Sequence, residues 1–546
     1  MTQPNLILFF TDQQRYDSVA CTHENEAVRT SLQTPNLDRL CKEGIRFDRG
    51  YTPNPVCVPA RYNMITGLPA RYHGHFSNSS TPLPLGIPCL PQILSDAGYL
   101  THACGKMHFR PMREHHGFHR MELMEETPHY QDDDDYLIYL KSVGCRTMHQ
   151  HGVRHLLYHQ PQRSLMSEEH HGSKWVADRT IAFLERAAHD KRPFFLKASW
   201  IKPHPPQNNP ERIADMYADA PLPERIERID ERKDRSDLLP SKRMSHTLGE
   251  GFIYDDPERM RRHREHYYAS VSFVDEQMGR VLSKLDELGL TGDTLVVFTS
   301  DHGEMLGDLD CLQKSAPYET ASHIPFIVRY PEVIEPGSVD TEHFVDLNDI
   351  LPTFLDAAGI AYPGSLKLPG SSLLDLDKGR DRTVQYIENN QGPLRWVCLR
   401  NAQFKYVFSF RGGWEALFDF EKDPLEQHNL LLDGVPSEYK DIRDSMFKQL
   451  VEYEERWGQP GTVQWNDLMK YQEYPLGRTH VNSQLPPWVD NLSEEDRAEY
   501  GGLWDEVIEA VKDEPTVTLS KLDLDHWAER CNVSEKIIKK IRDNNL

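Results

Sequence analysis

The chain has 546 residues, of which 38% are hydrophobic and 27% charged, as expected for a soluble globular protein. Its formal net charge of −23 argues against nucleic acid and anionic membranes as general partners. The length exceeds that of a usual single domain, so we expect more than one domain.

The N-terminal residues and the cysteines indicate the cellular compartment in which the protein is expected. Residues 1–10 lack the basic start, long apolar core and cleavage site of a secretory signal. No stretch approaches the length of a transmembrane helix. Nine cysteines without a paired spacing argue against a disulfide framework. We therefore expect a cytoplasmic protein, although a chain from which a signal had been removed would look the same.

Short apolar runs alternate with helical patterns through the first two thirds of the chain. The runs, which we predict to be strands, cover residues 5–12, 193–199, 293–301 and 324–331. Periodic patterns and capping residues predict helices at 34–44, 57–67, 260–289 and 345–359. Apolar strands separated by helices favour a largely parallel sheet in a layered α/β domain.

The pattern changes beyond about residue 380. Residues 395–424 resemble several short strands with a Gly-Gly turn, which predicts a small antiparallel sheet. The last part of the chain is rich in Trp, Pro and charge and ends in a basic helix. We predict a catalytic domain at 1–380, a small α+β subdomain at 381–455, and an extension at 456–546. That extension would be an oligomerisation arm, making a homo-oligomer, or a lid over the active site.

Candidate metal ligands follow two of the predicted strands. Asp12 ends the first apolar run, and Asp301 and His302 end the third. Because ligands of open parallel sheets collect at the carboxyl ends of strands, these side chains can meet. Together they are a reasonable set for one divalent cation, to which Gln13 adds a carbonyl ligand or a supporting hydrogen bond. Each of them alone would more simply be a turn or capping residue.

Cys57 lies in the segment NPVCVPARYNMITG, residues 54–67. The residues after it favour a helix, in which Pro59 is tolerated because it falls in the first turn. Cys57 then lies near a helix N-terminus, where free N–H groups and the helix dipole favour negative charge. Arg61 is one turn further on, and its guanidinium can reach back toward Cys57. A thiolate nucleophile with a histidine base is the alternative that these residues leave open.

Several blocks resemble the formylglycine-dependent (type I) sulfatases of the alkaline phosphatase superfamily. CVPAR followed by MITG resembles their signature, and further blocks occur in the family's order: NLILFFTDQQ, TPNLDRLCKEGIRFDRGYT, GYLTHACGKMHF, KPHPP and FTSDHGEMLGD. The resemblance covers about residues 4–360. It implies an α/β/α sandwich and an enzyme that hydrolyses sulfate monoesters to an alcohol and inorganic sulfate.

The resemblance also implies a nucleophile and a metal centre. Cys57 would be oxidised to formylglycine (3-oxoalanine), and the hydrate of this aldehyde would attack sulfur. The second hydroxyl of the hydrate would let the sulfated intermediate collapse by elimination, which a plain serine or cysteine does not allow. The implied metal ligands are Asp12, Gln13, position 57, Asp301 and His302.

The remaining implied roles concern the ester and its protons. Arg61 would stabilise the hydrate, and His108 would take the proton from its remaining hydroxyl. His204, with Lys314, would protonate the departing alcohol. The residues implied to contact the sulfate ester are Asn78, Lys106, His204 and Lys314.

Two positions depart from the commonest family pattern. Many members have two adjacent aspartates where this chain has Asp12-Gln13, and asparagine where it has His302. Both changes resemble the bacterial branch of phosphonate monoester hydrolases and choline-sulfatase-like enzymes. A nitrogen ligand and one fewer carboxylate make Ca²⁺ less secure as the metal and favour Mn²⁺ or Zn²⁺, although Ca²⁺ stays open. The Lys106-x-His108 pair favours sulfate monoesters over phosphonate monoesters or phosphodiesters, on which we expect side activity.

The expected partners are a small-molecule or carbohydrate sulfate ester and a formylglycine-generating enzyme. The sequence does not decide between aryl, choline-like and carbohydrate alcohols. A metal-binding protein that is never oxidised at Cys57, and is not an enzyme, is the alternative from another functional class.

Overall fold

An eight-stranded sheet forms the centre of the protein. The computed structural model describes residues 3–128, 131–145, 150–152, 154, 158–227, 229, 257–376, 382–472, 492–511, 517–518 and 532–544. The spatial order of the strands is Ser338–Asp340, Ile45–Phe47, Phe326–Arg329, Thr294–Ser300, Asn5–Asp12, Phe194–Pro203, Leu100–Gly105 and Arg120–Leu123. Within this sheet only Phe326–Arg329 runs antiparallel to its neighbours, which confirms the mostly parallel sheet.

Helices cover both faces of the sheet. Alternate residues of each central strand point to opposite sides, and because these residues are apolar, both faces must be shielded from water. In the first strand, Leu6, Leu8 and Phe10 join one apolar core, whereas Ile7 and Phe9 join the other. The first core includes residues of the helices Cys57–Thr66, Leu90–Asp96 and Ile350–Ala358, and the second includes residues of Pro35–Glu43, Gly172–Asp190 and Pro257–Glu287. The predicted α/β/α architecture is confirmed.

One predicted helix begins later than expected. Residues 345–359 were expected to be helical throughout, but Val345–Asp346 pairs with Gly50–Tyr51 as a short strand. A 3₁₀ turn, Leu347–Asp349, follows and is closed by a capping box, and the α-helix is Ile350–Ala358. Pairing of the first two residues with another strand overrides their helical pattern.

The other elements of the region up to residue 380 are short. Its further α-helices are Glu26–Ser31, Ala70–His73, Asp135–Ser142, Glu211–Ala214 and Glu319–Ser322, and the short strands Gln162–Arg163 and Asn208–Asn209 pair with each other. Among the helices of the described residues, none combines the length and apolar character needed to cross a membrane.

A four-stranded antiparallel sheet follows, as predicted for this part of the chain. Its strands, in order, are Gln385–Asn389, Trp396–Arg400, Phe404–Ser409 and Trp414–Asp419, and the helix Lys440–Trp457 packs against it. Gly412 and Gly413 form the predicted turn, both with positive φ, 70° and 67°.

The C-terminal extension is described in part, with helices Glu494–Val511 and Glu535–Asn544 and the strand Val517–Thr518. This strand pairs in parallel with Gln162–Arg163. Much of the predicted arm or lid, including 473–491 and 519–531, lies outside the described residues. The role of the extension and the three domain boundaries stay predictions.

A buried ion network ties the small sheet to its helix. The guanidinium of Arg395 is fully buried, and its nitrogens lie 2.7 Å from Glu388 and 2.8 Å from Glu454. Burial raises the pKa of Glu388 to about 7, against the opposing influence of Arg395. The subdomain therefore depends on one buried cation between two carboxylates.

We expect Arg395→Met to lower the free energy of unfolding by about 3–5 kcal/mol, because it leaves two buried carboxylates without their cation. Thermal or denaturant unfolding measures the change. Arg192→Met removes an arginine that is 53% exposed and should cost less than about 0.5 kcal/mol. Equal effects of the two substitutions would contradict the assignment.

Candidate active site

Four buried side chains from two strand ends and one helix form a compact cluster. Asp12 ends the first strand, and Asp301 and His302 follow its parallel neighbour Thr294–Ser300. One ligand atom from each of these three residues and from Cys57 all lie within 4.8 Å of one another. Strand geometry predicted Asp12, Asp301 and His302 at one edge of the sheet, and the family resemblance added position 57. The structure brings the four residues together.

Cys57 is the first residue of the helix Cys57–Thr66 and is 1% exposed. Its Sγ lies 3.2 Å from Nε2 of His302 and 4.0 Å from Oδ1 of Asp12. Burial, together with the nearby Asp12 carboxylate, raises the pKa of the thiol to about 12. Without a bound cation, the unmodified Cys57 is held as a protonated thiol, which disfavours a thiolate that acts as nucleophile without a metal.

Arg61 lies beneath the carboxylates of the cluster. Its Nε donates a hydrogen bond to Asp301 and its Nη2 donates one to Asp12, and both bonds are 3.0 Å long. The guanidinium is fully buried. Burial opposes ionisation of Asp301, but His302, Arg61 and Lys106 outweigh it and hold the pKa of Asp301 well below its usual value. The sequence predicted that the Arg61 guanidinium reaches back toward Cys57. In the structure it bonds to the carboxylates of Asp12 and Asp301, which lie beside Cys57 in the cluster.

Lys106 connects the cluster to a residue that sequence reasoning did not select. Its Nζ lies 2.6 Å from Oδ2 of Asp12 and 2.7 Å from Oε2 of Glu126. Burial disfavours the ammonium, but Asp12 and Glu126 raise the pKa of Lys106 well above its usual value. Lys106 is therefore a fixed cation within the site.

His204 and Lys314 form a second polar group on the same side. Nζ of Lys314 lies 2.9 Å from Nε2 of His204 and 2.7 Å from Oε1 of Gln13. Nδ1 of His204 lies 2.7 Å from the carbonyl oxygen of Pro205, an arrangement in which Nδ1 donates. Burial lowers the pKa of His204 well below its usual value, so this imidazole is neutral.

Gln13 is oriented by Glu304, a second residue that the sequence did not single out. The Gln13 amide nitrogen donates to Glu304, and its oxygen accepts from Lys314. This arrangement favours the supporting hydrogen-bond role of Gln13 over that of a ligand. A carboxylate three residues after Asp301, in the same block, was the available signal for Glu304.

The remaining two predicted residues lie next to the cluster. The Asn78 side chain accepts a hydrogen bond of 3.0 Å from the Val58 amide and so caps the Cys57 helix. His108 has a φ of 57°, and its amide donates to Glu125 over 2.8 Å. Burial and the nearby Lys106 lower the pKa of His108 well below its usual value, which leaves a neutral imidazole.

The donor set fits one divalent cation. Asp12, Asp301 and His302 supply two carboxylates and an imidazole, and position 57 lies among them. Carboxylate oxygens suit Ca²⁺ and Mn²⁺, whereas the imidazole also suits Zn²⁺, so the residues indicate a metal without identifying the ion.

The fold is an α/β/α sandwich, and its strand ends carry a cluster of residues that could hold a metal ion. Residues 4–360 match the sulfatase family model, and residues 307–456 match the family described as N-sulphoglucosamine sulphohydrolase, C-terminal. The chain therefore belongs to the sulfatase family.

Known proteins agree with this assignment. The chain is 32% identical over 498 residues to arylsulfatase of Clostridium perfringens (strain 13 / Type A), covering 87% of this chain and 98% of that protein. It is 29% identical over 448 residues to choline-sulfatase of Rhizobium meliloti (strain 1021), covering 78% and 82%. The structure of the phosphonate monoester hydrolase SpPMH from Silicibacter pomeroyi matches with a TM-score of 0.70 at 24% identity, covering 86% and 100%. The predicted relationship is confirmed, and this last likeness establishes the shared fold.

We expect Asp301→Asn to weaken divalent metal binding by at least about tenfold, because the cluster loses one of its two anionic ligands. Elemental analysis after dialysis against defined metal concentrations measures the loss. Asp96→Asn, which removes an exposed carboxylate, is the matched control. Unchanged metal content in Asp301→Asn would place the ion elsewhere.

Proposed function

We propose that this sulfatase hydrolyses a sulfate monoester to an alcohol and inorganic sulfate, using formylglycine made from Cys57. The observation that carries the proposal is the position of Cys57. It begins a helix within the cluster of Asp12, Asp301 and His302 and is flanked by the cation Lys106. Helix N–H groups and fixed cations stabilise an anionic reacting centre.

Both proposed cofactors would lie among these residues. The hydrate of the aldehyde at position 57 would supply one hydroxyl for attack and a second for elimination. Asp12, Asp301 and His302 would hold the metal, which when bound would act as a Lewis acid beside the reacting group. Gln13 would position Lys314, because its side-chain oxygen accepts a hydrogen bond from the Lys314 ammonium.

Lys106 and Lys314 would balance the negative charge of the sulfuryl oxygens. Asn78 would support this site by capping the Cys57 helix. Arg61 would hold the carboxylates of Asp12 and Asp301 in position through its hydrogen bonds to them. Such preorganised charges stabilise the transition state without reorganising during the reaction.

Two histidines would move protons. His108, a neutral imidazole, would accept the proton from the remaining hydroxyl at position 57. Nζ of Lys314 and Nε2 of His204 lie 2.9 Å apart, so these two residues would share the proton that the departing alcohol receives. A bound sulfate ester adds negative charge beside His204, which favours its protonation.

A phosphonate monoester or phosphodiester is the second candidate substrate. The Asp12-Gln13 pair, His302 and the fold shared with SpPMH favour it. Matched aryl sulfate and aryl phosphonate esters decide between the two through their kcat/KM values. A large preference for the phosphonate would overturn the choice of a sulfate ester.

Maturation would need a formylglycine-generating enzyme that acts before folding. Cys57 is 1% exposed at the base of the site, so an enzyme cannot reach it in the folded protein.

We expect Cys57→Ala to lower turnover of an aryl sulfate by at least about a thousandfold while the protein stays folded, because the nucleophile is lost. Kinetics and circular dichroism measure the two properties. Mass spectrometry of the parent peptide spanning Cys57 should find the aldehyde. An intact thiol in active protein, or a variant within about tenfold of the parent, would contradict the proposal.

We expect His204→Ala to slow esters of poorly acidic alcohols by about 10²–10⁴-fold, and esters of acidic phenols much less, because an acidic leaving group needs little protonation. A series of sulfate esters with graded leaving groups measures this dependence. Equal losses across the series would contradict the role of His204 as proton donor.

A further inference from the structure

Glu126 occupies the position in which an anion would meet the cations of the site. Its Oε2 lies 2.7 Å from Nζ of Lys106 and 3.6 Å from Nε2 of His204, two groups that we assign to the sulfate ester. Its other oxygen, Oε1, lies 2.7 Å from Nη2 of Arg154. The side chain is 11% exposed, and its contacts with Lys106 and His204 place it in the wall of the site.

Arg154 holds Glu126 in this wall independently of Lys106. The guanidinium carbon of Arg154 lies 4.6 Å above the ring of Tyr158, and Tyr158 in turn packs edge-on against His204. A substrate that takes Lys106 from Glu126 would therefore leave the carboxylate tethered beside the bound ester. Oε2 of this carboxylate would then face the sulfuryl group, while Oε1 stays paired with Arg154.

Such a charge distinguishes esters by their own charge. Sulfate monoesters, phosphonate monoesters and phosphodiesters carry one negative charge, whereas a phosphate monoester carries nearly two above about pH 7. Inorganic sulfate, the product, also carries two. Repulsion between charges a few ångströms apart in a partly buried site is large enough to change binding by about tenfold or more.

We propose that Glu126 is a specificity-determining residue that selects singly charged esters and weakens binding of doubly charged anions, including the sulfate product. The proposal rests on the proposed function, since it takes Lys106 and His204 as the groups that bind the ester. The competing explanation is that Glu126 only positions Lys106, in which case all substrates would depend on it equally.

Glu126→Gln tests the charge while keeping the size of the side chain. An aryl sulfate and the aryl phosphate of the same phenol are compared at about pH 8, where the phosphate monoester is doubly charged. We expect the ratio of kcat/KM for phosphate to that for sulfate to rise by about tenfold or more. Glu126→Asp, which keeps the charge, should retain the ratio of the parent.

Two further variants complete this comparison. Glu169→Gln removes an exposed carboxylate and should leave the ratio unchanged. Glu126→Ala removes the same charge as Glu126→Gln. If the glutamine variant does not fold, the alanine variant is used in its place. An unchanged ratio, or parallel losses on both esters, would overturn the proposal in favour of a positioning role.

Anion binding separates this proposal from the proposed function. Calorimetry with sulfate, a dianion, and methanesulfonate, a monoanion, requires no turnover. We expect Glu126→Gln to strengthen sulfate binding relative to methanesulfonate by about tenfold, and no relative change would overturn the role of Glu126. A parent protein that hydrolyses no sulfate ester would instead refute the proposed function, whatever the outcome of the binding experiment.

Discussion

The buried contacts of Arg61 with Asp12 and Asp301 are the constraint on which the rest of the site depends. Two carboxylates with no solvent exposure repel each other, and burying them is tolerable only with a cation between them. Arg61 supplies that cation from one turn beyond Cys57. The same ion pairs that neutralise the strand ends therefore also fix the helix on which position 57 lies.

Charge balance continues outward from this point. Lys106 lies between Asp12 and Glu126, and Lys314 lies between Gln13 and His204. Each cation is thus held by partners on the protein side, so its position is set before an ester arrives. The imidazole of His204 is neutral because burial outweighs the attraction of nearby carboxylates, which leaves its charge sensitive to a bound anion.

The small C-terminal sheet also supports the site, although none of the assigned residues belongs to it. Trp396 donates to the carbonyl oxygen of Ser315, and Lys405 donates to that of Pro317, so two strands hold the loop that carries Lys314. The backbone amide of Glu388 likewise donates to Pro53, four residues before Cys57. The subdomain built around Arg395 therefore contributes to the rigidity of both loops.

Apolar runs, periodicity and motifs were enough to predict the layered α/β core, its central strands and, with the family resemblance, the residues of the candidate metal site. Apolar runs that end in Asp12 and Asp301 place these carboxylates by strand geometry alone, and the motif around Cys57 carries the family resemblance. Contacts in the folded protein were needed to find that Val345–Asp346 is a strand and that Gln13 turns toward Lys314. The same holds for Glu126 and Glu304, which reach the site from segments that carried no such prediction. These outcomes depend on side chains from distant segments that compete for the same cations and hydrogen bonds. Local periodicity has no access to such contacts.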